Sequence, residues 1–178
     1  MRTPPRAPGR SRGVGTTPPS ALPALAPYRT LIVEGHEGRG RARVVAELAR
    51  LGFEVRRLPS ALHHLDPALP CRELLAGPGR LAVDGNLIAE LVHGPLRRGR
   101  SRVTWIQALD LADAVAERDG AMLHLTTPEV SEAATAYARV FRTLAQHVPV
   151  VTLDVGEPGG PSGHSPLARP NSGVKQCS

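Results

Sequence analysis

Lysine is almost missing from this 178-residue chain: the single example, Lys175, stands close to the carboxyl end. A reaction step that needs a lysine amine therefore has no donor in the middle of the sequence. Cysteine is equally scarce. Cys71 and Cys177 alone exclude a disulfide framework and offer no metal-ligand spacing, which fits a reducing compartment. Aromatic residues make up 3% of the chain, too few for the stacking platforms of a single-strand nucleic-acid binder. No apolar run approaches the length of a membrane span and the first residues lack an apolar signal segment, so the expected location is cytoplasmic, with no membrane partner. His63-His64 with Asp66 lacks remote ligands and does not make a metal centre. No Gly-x-Ser-x-Gly elbow supports a hydrolase.

What is abundant is proline, arginine and glycine, concentrated at both ends. Residues 1–27, with Thr3-Pro4-Pro5-Arg6 and Thr17-Pro18-Pro19-Ser20, show no apolar period and read as a disordered leader. Residues 156–178, opening with Gly156-Glu157-Pro158-Gly159-Gly160, read as a disordered tail. A folded domain is expected over 28–155. Of the formal charge of +6, the leader's four arginines contribute four and the tail one, which leaves the domain at +1. A nearly neutral domain argues against nucleic acid as a partner.

Within the domain, short apolar runs alternate with helical patterns. Strands are expected at Thr30–Val33, Phe53–Leu58, Arg80–Asp84, Ala121–Leu125 and Val148–Leu153. Helices are expected at Arg41–Leu51, Leu87–Val92 and Arg102–Arg118, with a short one near Arg72–Leu75. Gly94-Pro95 and Gly99 suggest a loop after the second of these. Thr127-Pro128-Glu129 suggests the start of a last helix carrying Val130, Ala134, Tyr137, Phe141 and Leu144 on one face. Trp105, Tyr137 and Phe141 fall at core spacing. The alternation predicts an α/β fold: a five-stranded parallel sheet with helices on both faces, and ligands at the carboxyl ends of the strands.

One loop carries the functional reading. Glu34-Gly35-His36-Glu37-Gly38-Arg39-Gly40-Arg41-Ala42 joins the first strand to the first helix, where backbone N–H groups and a helix dipole favour an anion. Gly35-x4-Gly40 has P-loop spacing, though an ordinary βα connection would serve with the same glycines. Further on stands Val83-Asp84-Gly85-Asn86-Leu87-Ile88-Ala89-Glu90-Leu91-Val92-His93-Gly94-Pro95-Leu96-Arg97-Arg98-Gly99-Arg100. On these two motifs, in this order, the stretch Leu31–Asp154 resembles the thymidylate kinase-like deoxynucleoside-monophosphate kinases of the P-loop NTPases.

That resemblance implies a three-layer P-loop fold, a nucleotide ligand, ATP with Mg2+ as cofactors, and phosphate contacts from residues 35–42. It also implies Asp84 as a catalytic group or metal ligand, and Arg97, Arg98 and Arg100 around the phosphoryl acceptor. The departures fall on the chemistry. Arg41 stands at the P-loop lysine and Ala42 at the hydroxyl that would hold Mg2+, so ATP and Mg2+ are both in doubt; Gly85 replaces the arginine of an Asp-Arg pair. An arginine-bearing lid is missing between the fourth strand and the last helix. Each such contact is worth about 2–4 kcal/mol in a transition state. The expected protein is a degenerate, kinase-like nucleotide or phosphate binder, a pseudoenzyme with weakened or lost phosphoryl transfer. Three alternatives stand beside it: an active dTMP kinase working with Arg41 as a catalytic group, a non-enzymatic interaction module, and an NADP-binding oxidoreductase using Gly35-x-x-Gly38-x-Gly40 with Glu54 and Arg56-Arg57. A homodimer is left open.

Overall fold

The computed structural model describes residues 15–17, 22, 24–59 and 66–156. The tail from 157 onward, His63-His64 and most of the leader lie outside these residues. The elements run β1 (Gly15–Thr17), β2 (Thr30–Gly35), α1 (Arg39–Arg50), β3 (Glu54–Arg57), α2 (Leu69–Ala76) and β4 (Leu81–Asp84). They continue through α3 (Leu87–Arg98), α4 (Trp105–Glu117), β5 (Gly120–Thr126), α5 (Glu132–Leu144) and β6 (Val150–Asp154). Every pairing is parallel, in the order β1-β6-β5-β2-β4-β3. The five strands β2 to β6 form the expected α/β sheet. No helix among the described residues is long and apolar enough to cross a membrane.

The order of the strands decides which face each helix covers. From β2 the chain moves outward past β4 to β3, and every later crossover moves back the other way. Right-handed crossovers running in opposite directions place their helices on opposite faces. Among the described α-helices α1 alone therefore lies on one face, where Val44 and Leu48 pack on Leu31, Val33, Ala82 and Leu123. α2, α3, α4 and α5 share the other, around Ile32, Val83, Met122, Leu91, Leu111 and Phe141.

A single helix cannot cover its whole face, and the segment before β2 fills the remainder. Leu25 is buried against that layer with Leu22 and Tyr28 at its margin, and Arg80 donates to Ala26 O at 2.8 Å while its guanidinium lies 4.0 Å over the Phe53 ring. The packed chain thus begins before Tyr28, inside what the composition marks as leader, and Gly15–Thr17 adds a short strand outside β6.

Three local expectations are corrected. α3 does not stop at Val92 but continues through Pro95 to Arg98, closed by Gly99 at φ 71°. Gly94 serves close approach rather than termination: a Cβ there would sit 2.8 Å from Ser101 Cα. Trp105 is not a core residue; it is 46% exposed, and α4 buries Ala108, Leu111, Ala112 and Val115 instead. The last helix starts at Glu132, not near Pro128. Ser131 Oγ accepts from Ala134 N at 3.0 Å as its cap, and Val130 points to solvent.

Candidate functional site

β2 is flanked by β4 and β5, so the carboxyl ends of these three strands bring Glu34, Asp84 and His124 together beneath the glycine loop. Gly35, at φ 111°, lies so close to β5 that a Cβ would sit 2.4 Å from Leu125 O. Gly38, at φ 116°, forms the N-cap of α1 without a side-chain cap. The loop is short: His36, Glu37 and Gly38 alone separate β2 from α1. Gly40 lets α1 meet the end of the sheet, since a Cβ there would lie 2.5 Å from Val155 O. Ala42, one turn in, donates its N–H to Gly38 O and offers no oxygen to a metal.

Arg41 points into the protein rather than toward the loop. Its Nε donates to Asp84 Oδ1 at 2.6 Å, and its Nη2 donates to Val33 O at 2.9 Å and Gly85 O at 2.6 Å. Asp84's second oxygen accepts from Arg57 Nε at 2.8 Å, so both of its oxygens are taken by guanidinium groups. The residues present do not fit a Mg2+ ion: the expected carboxylate ligand is neutralised twice and the expected hydroxyl ligand is a methyl group.

Glu34, fully buried, does the work of a helix cap. Asn86 precedes α3 without capping it through its side chain, and the first N–H groups of a helix need acceptors. The Glu34 carboxylate supplies them, taking Ile88 N at 3.0 Å and Ala89 N at 3.2 Å from within the sheet edge. Burial pushes its pKa up to about 7, against the pull of Arg41 and these N–H donors. The same carboxylate explains Gly85, because a Cβ there would lie 2.8 Å from Glu34 Oε1. A side chain at position 85 would therefore displace Glu34 from the first turn of α3.

On the α3–α5 side of the loop a cleft of about 550 Å³ opens. Its floor is Gly35, His36, Glu37 and the end of β5; its walls are α3, through Asn86, Glu90, His93 and Arg97, and α5 with the segment before it, through Thr127, Glu129 and Tyr137. His124 and Tyr137 are 7% and 5% exposed. Their rings stack with Phe141, His124 at 4.3 Å between centroids, and His93 meets Tyr137 edge-on at 5.6 Å. Burial drives His124 down to about 4, so the ring is neutral near pH 7, and it raises Tyr137 well above its ordinary value. Both residues line the cleft.

The anticipated site is therefore divided. His36, Glu37, Gly35 and Arg97 border the cleft; Gly38, Arg39, Gly40, Arg41 and Ala42 form the start of α1 behind it. Arg98 is drawn to Glu90, Arg102 approaches the same carboxylate at 3.7 Å, and Arg100 is exposed beyond the helix end. Arg97 and Arg98 belong to the last turn of α3, not to a loop. The sequence pattern missed Glu34, His93 and His124, and assigned Tyr137 to packing alone. Glu34 and His124 share one register position at the ends of adjacent parallel strands, the place where such sheets collect ligand contacts.

The strand order also bears on a dinucleotide site. In that fold the second strand lies beside the first, letting its terminal acid reach the ribose. Here β4 separates β3 from β2, Glu54 pairs with Arg56, and Arg57 is anchored on Asp84. Comparison with protein-family models, with curated proteins and with solved structures gives no match to this chain.

Proposed function

We propose that the protein is a kinase-shaped nucleotide binder that has lost phosphoryl transfer and holds a nucleoside monophosphate, dTMP being the first candidate, in the cleft between α3 and α5. The observation that carries this reading is the inward lock of Arg41 on Asp84, Val33 O and Gly85 O. A guanidinium spent on internal partners cannot follow a migrating phosphoryl group, and Ala42 brings no metal ligand to replace it. The cleft supports the binding half. Its volume falls within the range of small-molecule sites, and it combines apolar ring surface with Arg97, His36 and neutral His124. The dinucleotide alternative is disfavoured by the strand order.

Calorimetric titration of the full-length chain with ATP, ADP, dTMP and NADPH, followed by a phosphoryl-transfer assay, tests the reading. Saturable dTMP binding without formation of dTDP is the expected outcome; turnover of dTMP at enzymatic rates refutes it. A second reading, a non-enzymatic interaction module, has one specific observation in its favour: Trp105 and Ile106, 46% and 71% exposed, stand side by side on the first turn of α4. Absence of any ligand response would turn attention to that surface.

A further inference from the structure

Three oxygens from two pieces of chain, the end of β2 and the end of β4, surround the Arg41 guanidinium: Asp84 Oδ1 at 2.6 Å, Gly85 O at 2.6 Å and Val33 O at 2.9 Å. One carboxylate and two carbonyls, with no nitrogen or sulfur, make the donor set of a hard divalent cation. We propose that Arg41 is a tethered replacement for that cation, so that the protein binds its anionic ligand without metal and carries a latent divalent-ion site uncovered only when Arg41 is cut back. The ligand half rests on the nucleotide-binding reading above; the latent site does not.

Charge and space both favour the replacement. The Arg41 and Asp84 side chains are 11% and 6% exposed, which leaves little room for an ion beside them. Arg57 already holds Asp84 Oδ2 at 2.8 Å, so two cations face Asp84 with Glu34 as the other acid nearby. A further double charge would meet no uncompensated carboxylate. Arginine also suits the task better than lysine would, because its planar fork satisfies a carboxylate and two carbonyls at once where a single ammonium offers one compact point of charge.

The experiment uses the full-length chain and three variants, R41A, D84N and R41A/D84A, with Mn2+ and Mg2+ as probes. Wild-type protein is expected to leave the EPR signal of free Mn2+ undiminished, and its Tm is expected to be the same in millimolar Mg2+ and in EDTA. R41A is expected to melt several degrees lower in EDTA, to recover in Mg2+, and to take up one Mn2+, with both responses lost in R41A/D84A. One Mn2+ bound by the wild type and lost in D84N overturns the proposal, as does an R41A protein indifferent to Mg2+. If R41A does not fold in EDTA, recovery of its folded signal on addition of Mg2+ supports the latent site, and failure to recover overturns it. Nucleotide affinity of the wild type should agree within about twofold between Mg2+ and EDTA. Affinity that depends on Mg2+ refutes the metal-free half. Absence of nucleotide binding in both conditions refutes both the nucleotide reading and that half, and leaves the latent site to be judged by Mn2+.

Discussion

Glu34 and His124 are register partners on adjacent parallel strands and titrate in opposite senses, which makes the pH dependence of stability a sensitive test of the sheet edge. Glu34 is raised from 4.5 to about 7, so the native state holds a proton that the unfolded chain has released, and stability falls as pH rises through that window. His124 is lowered from 6.5 to about 4, so the unfolded chain takes up a proton that the native state refuses, and stability falls as pH drops through that window. Where the windows overlap the two effects cancel, and the pair adds almost no slope. Replacing Glu34 by Gln removes one side of the balance. A fully released proton is worth about 1.4 kcal/mol per pH unit and release is partial at both ends of the window, so the difference between E34Q and wild type should change by about 2 kcal/mol between pH 4.5 and 6.5, in the sense that E34Q gains relative stability as pH rises. The lost hydrogen bond from α3 adds an offset independent of pH, so the slope is the quantity to read. His124→Phe should give the mirror image, losing relative stability as pH rises. Urea denaturation at several pH values measures both. A difference between E34Q and wild type that stays constant across this range would show that Glu34 is not the buried acid described, and the account of α3 capping would fall with it.

Other consequences can be checked in parallel. Arg97→Ala should weaken dTMP binding about tenfold or more while leaving Tm unchanged, because this arginine borders the cleft and is exposed; equal affinity in calorimetry would remove it from the site. Gly85→Arg should destabilise the fold and fail to restore transfer, since its Cβ would fall 2.8 Å from Glu34 Oε1; a stable, nucleotide-phosphorylating G85R protein would contradict that geometry. Thr104→Ala breaks the capping box with Gln107 at the start of α4 and should cost about 1 kcal/mol by denaturant titration.

The layer arrangement was legible because alternation of short β-rich runs with amphipathic stretches is a property of each segment by itself. Boundaries failed where tertiary packing decided them. Gly94-Pro95 looks like a break in isolation, but Gly94 is needed where Ser101 returns against α3. Leu25 looks like part of a Pro-rich leader, but one face of the sheet has only α1 to cover it. The glycine loop was found where expected. The direction of Arg41 was not, because spacing cannot show that a side chain has turned inward to three oxygens brought together from Val33, Asp84 and Gly85. Tyr137 reads as packing because aromatic spacing on a helix is the same whether or not a cleft lies beyond the ring, and His124 passes unnoticed as one residue of an apolar strand.

The central place of β2 also has a cost in time. The strand is made early, yet its two neighbours, β4 and β5, are the third and fourth of the five main strands, and its register with β5 reaches from Thr30 to Gly120. During synthesis Leu31, Ile32 and Val33 must wait, apolar and unpaired, until Leu81–Asp84 has emerged, and with one edge still open until Gly120–Leu125 follows. Loop closure over such separations precedes the contacts that reward it, so folding should be slow for a chain of this length and most vulnerable to aggregation while that strand is still without partners.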